Sequence, residues 1–242
     1  MKPHARKIVW NATFLSAAAL LMRTVGVSFQ VYVSNRAGAE AMGLFSLLTG
    51  VYGFALTLAT SGLHLGVTRL VVDATGTGKE REVPTVMRRA LLYSLLFGCL
   101  ASLLLLCFAR PIGLYWLHDA RTIRSLRLLA LTLPLLSLTS SIGGYFTAVR
   151  RPYKSAVVQV LEQGAKITAT MYLFSCFAPR DVEAICCTLV LGGVAAELFS
   201  FCIDWILYAI DRKRSFPNRT AENGHAVGKR LLAITLPIAF TA

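Results

Sequence analysis

Residues 154–177 read KSAVVQVLEQGAKITATMYLFSCF, and the fold turns on how this stretch is seated. It is long enough to cross a bilayer, which takes about 20 residues of helix. Yet it carries Ser155, Gln159, Glu162, Gln163, Lys166 and Thr170. These fall at i, i+4, i+7, i+8, i+11 and i+15, so they share one face of an α-helix. The remaining faces are built mainly of Ala, Val, Leu, Ile and Met. A charge at the centre of a hydrocarbon slab costs at least about 2.5–3.5 kcal/mol, so the stripe is expected to turn toward protein or a water-filled cavity. Glu162 precedes Lys166 by one turn, the favourable order for an ion pair. The rest of the chain is then expected to build a helical bundle around a polar lumen.

Composition agrees with a membrane setting. Of 242 residues, 55% are hydrophobic and 15% charged, with a mean hydropathy of +0.60. Soluble domains carry about 25% charged residues. The formal net charge of +13 does not point to nucleic acid, because the basic residues are scattered over many short loops instead of gathering in one patch.

Outward from the stripe, the pattern predicts an all-α membrane protein with six spans. They are Ile8–Val33, Leu44–Val71, Ala90–Ala109, Leu126–Val149 with a kink at Pro134, Lys154–Phe177, and Ala184–Ile210. The first lacks the short core and cleavage site of a signal peptide, so it reads as uncleaved. Ser34–Gly43 reads as a polar turn, and Gly113–Asp119, with Tyr115 and Trp116, as an interfacial segment. Gly62-x-x-x-Gly66 permits close helix approach. Residues 1–210 thus form a six-helix lobe and 211–230 a basic loop. Residues 231–242 are twelve, too few to span, and read as the start of a truncated second lobe.

Lysine and arginine set the expected orientation. Seventeen lie on the side of the N-terminus, six on the other side, and Arg23 and Lys166 inside spans. The positive-inside rule places the N-terminus in the cytoplasm. A second six-helix unit would then repeat the first in the same orientation, about an axis along the membrane normal.

The motifs exclude more than they assign. Six cysteines lie in or beside apolar spans without metal-ligand spacing, so no metal and no cofactor are expected. No phosphate-binding loop, nucleophile elbow or catalytic carboxylate pair is present, so no catalytic residues are named and an enzyme is not expected. The ionisable residues in the spans remain. Arg23, Arg69, Gln159, Glu162, Gln163 and Lys166 are candidate substrate-binding residues. Glu162 and Glu197 are candidates for ion or proton coupling. Glu197 could equally be a counter-charge to Arg23 or Lys166, and Asp204 reads as interfacial. Cations at the rim suit an anionic lipid headgroup entering from the cytoplasmic leaflet.

Gly144-Tyr145-Phe146, followed by Gln159-Val160-Leu161-Glu162-Gln163 and Lys166, resembles the signature of the stage V sporulation protein B-like branch of polysaccharide biosynthesis (oligosaccharide flippase) proteins. That branch belongs to the multidrug, oligosaccharidyl-lipid and polysaccharide exporter superfamily. Arg23 with Gly26, Gly38–Phe45, and Ser61-Gly62-Leu63 with Arg69 are similar to its first two spans. The resemblance covers the family's N-terminal half. It implies two six-helix lobes around a central cavity, in a bacterial plasma membrane. It also implies alternating-access movement of an undecaprenyl-linked sugar, whose pyrophosphate basic residues such as Arg23 hold. The expected partners are this lipid-linked oligosaccharide and membrane lipids, with no nucleic acid. Where the family often has Arg before Gly-Tyr-Phe, this chain has Gly143, and Arg150 and Arg151 lie close enough in sequence to substitute electrostatically. Two alternatives stand beside this reading: an ion-coupled multidrug or metabolite antiporter of the same superfamily, and a non-transporting membrane scaffold.

Overall fold

The computed structural model describes residues 3–78, 82–177 and 181–215, with the side chains of 3–15, 17 and 18 excepted. The expected loop beyond residue 215 and the start of a further helix at 231–242 lie outside the described residues. All regular structure among the described residues is helical. The elements are α1 (Pro3–Thr60), α2 (Leu63–Gly76), α3 (Val83–Pro111), α4 (Thr122–Ala130), α5 (Leu133–Ala148), α6 (Pro152–Phe177) and α7 (Val182–Ser215). Four helical stretches are long and apolar enough to cross a membrane: Ala19–Gly76, Val83–Trp116, Thr122–Ala148 and Val182–Ser215. The polar stripe keeps α6 out of that set, although its 26 residues suffice in length.

Two glycines articulate the first stretch. Gly38 interrupts α1 at φ 79, ψ 167, a conformation essentially reserved for glycine. It divides α1 into two legs. The ten-residue polar turn expected at Ser34–Gly43 is therefore a single-residue break. Arg121 pins the second leg beside it, reaching Glu40 at 3.1 Å and Asp119 at 2.8 Å. The hydrogen-bonded guanidinium holds the Asp119 carboxyl below its ordinary range. Gly62, in left-handed conformation at φ 73, separates α1 from α2, so the span expected over Leu44–Val71 is jointed.

Other boundaries also shift. A π-helical turn, Ile112–Trp116, continues α3 beyond Pro111, and Tyr115 and Trp116 project outward at 80% and 71% exposure. The kink expected at Pro134 is a break at Leu131–Thr132, which leaves Pro134 in the first turn of α5, where proline's missing N–H has no helical partner to lose. α7 runs to Ser215, past the expected end at Ile210, because Asp211 is buried as an anchor.

Small residues let the helices close. Hydrocarbon solvent gives little hydrophobic drive between helices, so contact depends on close backbone approach and interhelical hydrogen bonds. A Cβ on Gly98 would lie 2.7 Å from Pro134 Cα, one on Gly144 would lie 2.6 Å from the His64 carbonyl oxygen, and one on Gly192 would lie 3.1 Å from Thr170 Cα. These positions draw α3 to α5, α2 to α5 and α6 to α7. Ser137 donates to the Ser94 carbonyl at 2.7 Å, and Tyr52 and Thr132 share a 2.6 Å bond between α1 and the α4–α5 link. Leu92, Leu96, Leu100 and Leu103 line the outer face of α3, each more than half exposed, as a lipid-facing surface requires.

Candidate functional site

α6 crosses between α7 on one side and the two legs of α1 on the other, and its polar face borders two cavities. The first has a volume of about 850 Å³, and the second about 480 Å³. Both fall within the 300–1,000 Å³ range of small-molecule sites. Gln163, Lys166 and Thr170, further along α6, border the larger cavity. Ser155, Gln159 and Glu162, in the first half, border the smaller one. The sequence stripe is therefore divided by height along one helix.

The larger cavity is cationic. The first leg of α1 supplies Arg23, Gln30 and Ser34, and the second leg supplies Ser46 and Thr49. Gly26 faces Gln163: a Cβ there would stand 3.6 Å from Gln163 Nε2, at ordinary contact distance. Among the described residues, neither Arg23 nor Lys166 has an ion-pair partner. Neither carboxylate of the smaller cavity borders this one. Two cations that form no ion pair among the described residues thus stand beside amides and hydroxyls, groups that donate hydrogen bonds, with Glu197 within electrostatic reach of Lys166.

The smaller cavity is acidic. Glu162, Asp204 and His64 are the titratable groups on its wall. Ser200 Oγ, from α7, donates to Glu162 Oε2 at 2.8 Å. This corrects the expected Glu162–Lys166 ion pair: Glu162 turns across to α7 while Lys166 faces the other cavity. His64 Nδ1 lies 3.3 Å from the Ser140 carbonyl oxygen, and its Nε2 lies 3.4 Å from Thr147 Oγ1. Gly143 leaves room for that ring, since a Cβ there would come within 3.4 Å of Nδ1.

Two further candidates lie elsewhere. Arg69 is exposed on α2 and borders neither cavity. Glu197 is half-buried on α7, also off both walls, yet within electrostatic reach of Glu162 and Lys166. Asp204 is the residue that sequence reasoning misplaced. It is 7% exposed and borders the acidic cavity instead of lying at the interface. Its spacing of seven from Asp211, two helical turns on one face of α7, was the available signal.

An ionic hub closes the acidic end. Asp211 is buried and accepts from Arg151, Lys154 and Tyr145 Oη, the last at 3.1 Å. Arg151 is thereby committed to the protein and does not substitute for the arginine missing at Gly143. Arg150 stands beside it with φ 58, ending the α5–α6 turn in left-handed conformation.

Comparison with known proteins adds the following. A family model described as polysaccharide biosynthesis protein matches residues 8–223. Stage V sporulation protein B of Bacillus subtilis (strain 168) is 25% identical over 226 residues, covering 92% of this chain and 44% of that protein. Among solved structures, a MATE crystal structure in the straight conformation superposes with a TM-score of 0.69 at 18% identity, over 95% of this chain and 52% of that one. A MOP superfamily transporter from Pyrococcus furiosus gives 0.71 at 17% identity, over 94% and 51%. At these identities the structures speak for the fold alone. The chain spans about half the length of each relative. With four apolar helical stretches among the described residues and a family-model match over most of its length, it is a multi-pass membrane protein.

Proposed function

We propose, for a chain that belongs to the polysaccharide biosynthesis protein family, that it forms one lobe of a two-lobed flippase. The cargo is an undecaprenyl-linked sugar carried across a bacterial plasma membrane by alternating access. In this reading the two legs of α1 (the second extended by α2), α3, α4 with α5, α6 and α7 make six crossings with the N-terminus in the cytoplasm. The observation that carries the reading is the cationic cavity: Arg23 and Lys166, neither in an ion pair among the described residues, flanked by Gln30 and Gln163.

A diphosphate bears the charge and the acceptor oxygens that such a wall can satisfy. Arg23, exposed at the cavity edge, offers a planar fork suited to phosphate. Lys166, half-buried, supplies a point charge deeper in. Holding the diphosphate there lets the polyprenyl tail stay in lipid while the sugar occupies polar volume beside α6. A cation-driven antiporter would instead need carboxylates to dominate the larger cavity, where the ionisable groups are Arg23 and Lys166.

The test is complementation. The full protein carrying Arg23→Ala or Lys166→Ala is expected to lose rescue of precursor export in cells lacking the wild type, at normal expression. Full rescue by both variants would overturn headgroup binding in this cavity.

A further inference from the structure

The acidic cavity has a use that anion binding does not explain. Asp204 is more than nine-tenths buried, and its Oδ1 has no hydrogen-bond partner. Leaving a buried carboxylate uncompensated is among the costliest arrangements in a protein, and in a membrane span it marks a functional position. Glu162 borders the same cavity with a single hydrogen bond from Ser200. His64 is the one basic titratable group on that wall, and its two ring nitrogens already face the Ser140 carbonyl and Thr147 Oγ1. Two carboxyl groups therefore share a void whose wall carries no lysine or arginine.

Size decides what fills that void. An ion or a water needs only about 10–15 Å³ of such volume. The cavity has about 480 Å³, and its other walls carry Ser140, Ser155 and Gln159. Hydroxyls and an amide around that volume suit a polyhydroxylated group bearing an amine. The arrangement along α6 then matches a molecule of mixed sign. Gln163 and Lys166 border the cationic cavity and Glu162 the acidic one, so the sign reverses within about 6 Å, one helical turn.

We propose that the acidic cavity, through Asp204 and Glu162, receives an ammonium group on the sugar or short peptide of the cargo. The transported class is then zwitterionic, with the diphosphate held by Arg23 and Lys166 and the amine by Asp204 and Glu162. The proposal rests on the flippase reading and narrows its substrate.

The test uses the full protein, purified in detergent, and two synthetic lipids: undecaprenyl diphosphate bearing glucosamine, and the same lipid bearing N-acetylglucosamine. Dissociation constants are measured for wild type and Asp204→Asn. The free-amine lipid is expected to bind wild type at least about thirtyfold more tightly, as loss of one partner in a desolvated charge pair implies, and the preference is expected to vanish in Asp204→Asn. The wild-type comparison stands even if the variant fails to fold. Equal affinities for wild type, with both sensitive to Arg23→Ala, overturn the amine site alone. A preference that persists in Asp204→Asn overturns Asp204 as its seat. Replacing choline chloride with sodium chloride and finding both lipids strengthened equally assigns the carboxylates to an ion and overturns the proposal. Failure of either lipid to bind wild type overturns the flippase reading, and this inference with it.

Discussion

Ser200 donates a 2.8 Å hydrogen bond to Glu162 across the α6–α7 interface, while Lys166, one turn further along α6, faces a different cavity. That choice of partner separates the charges of one helix face into two compartments. Had Glu162 and Lys166 paired, each would have neutralised the other and left Arg23 alone in the larger cavity and Asp204 the one carboxyl in the smaller.

Ser200→Ala is expected to free Glu162 to swing toward Lys166. Transport of an anionic lipid should fall by roughly tenfold in rate, the effect of about 1.4 kcal/mol, because the cation is then partly neutralised. Glu162→Gln in the same background should restore part of the loss. Flux in reconstituted vesicles containing the full protein checks both.

The glycines of the α6–α7 contact should be unequal. Gly192→Ala drives a Cβ into Thr170 and is expected to cost about 1–3 kcal/mol. Gly193→Ala meets nothing within 4 Å and should be neutral, or stabilising by up to about 1 kcal/mol through helix propensity. Thermal unfolding in detergent, run side by side, distinguishes them.

Asp211 should show strong non-additivity. Its side chain is 1% exposed, and Arg151 and Lys154 both bind it. Either cation alone can still compensate the carboxylate, so Arg151→Met or Lys154→Met should cost little. The double substitution strands a buried charge and should cost about 3–5 kcal/mol. A double-mutant cycle is expected to give a coupling above about 1 kcal/mol.

Gly38→Ala should strain the break in α1, at about 1–3 kcal/mol, because alanine does not reach φ 79, ψ 167 without strain. The measurement is the shift in melting temperature against Gly43→Ala, where a Cβ meets nothing within 4 Å.

The clamp beside that break carries a pH signature. Arg121 lowers the Asp119 carboxyl, so the contribution is present above the unfolded value near pH 4 and is lost as pH falls through the lowered folded value. Both groups are solvated, so the effect is small. Melting temperature between pH 3 and 6 should fall slightly more steeply for wild type than for Arg121→Gln.

Much of this was legible in the sequence. Helical periodicity alone put Ser155, Gln159, Glu162, Gln163, Lys166 and Thr170 on one face of α6, and all six border one of the two cavities, Thr170 as a buried wall residue. Partner choice was not legible. Sequence spacing favours Glu162 with Lys166, but Ser200 lies 38 residues away, on another helix. Depth was misjudged for the same reason. Asp204 was placed by its distance from the expected helix end at Ile210, and α7 continues to Ser215 because Asp211 finds cations on the α5–α6 turn. Helix breaks at Gly38 and Gly62 were blurred, since a single glycine can do what a polar turn of several residues was expected to do.

The knot of Tyr145, Arg151, Lys154 and Asp211 also limits how this bundle can move. It ties the end of α5, the head of α6 and the tail of α7 at one level. Sliding α6 along α7 would tear a carboxylate from both cations at once. If the chain works as proposed, the stroke must therefore rock these three rods together, as a single lever.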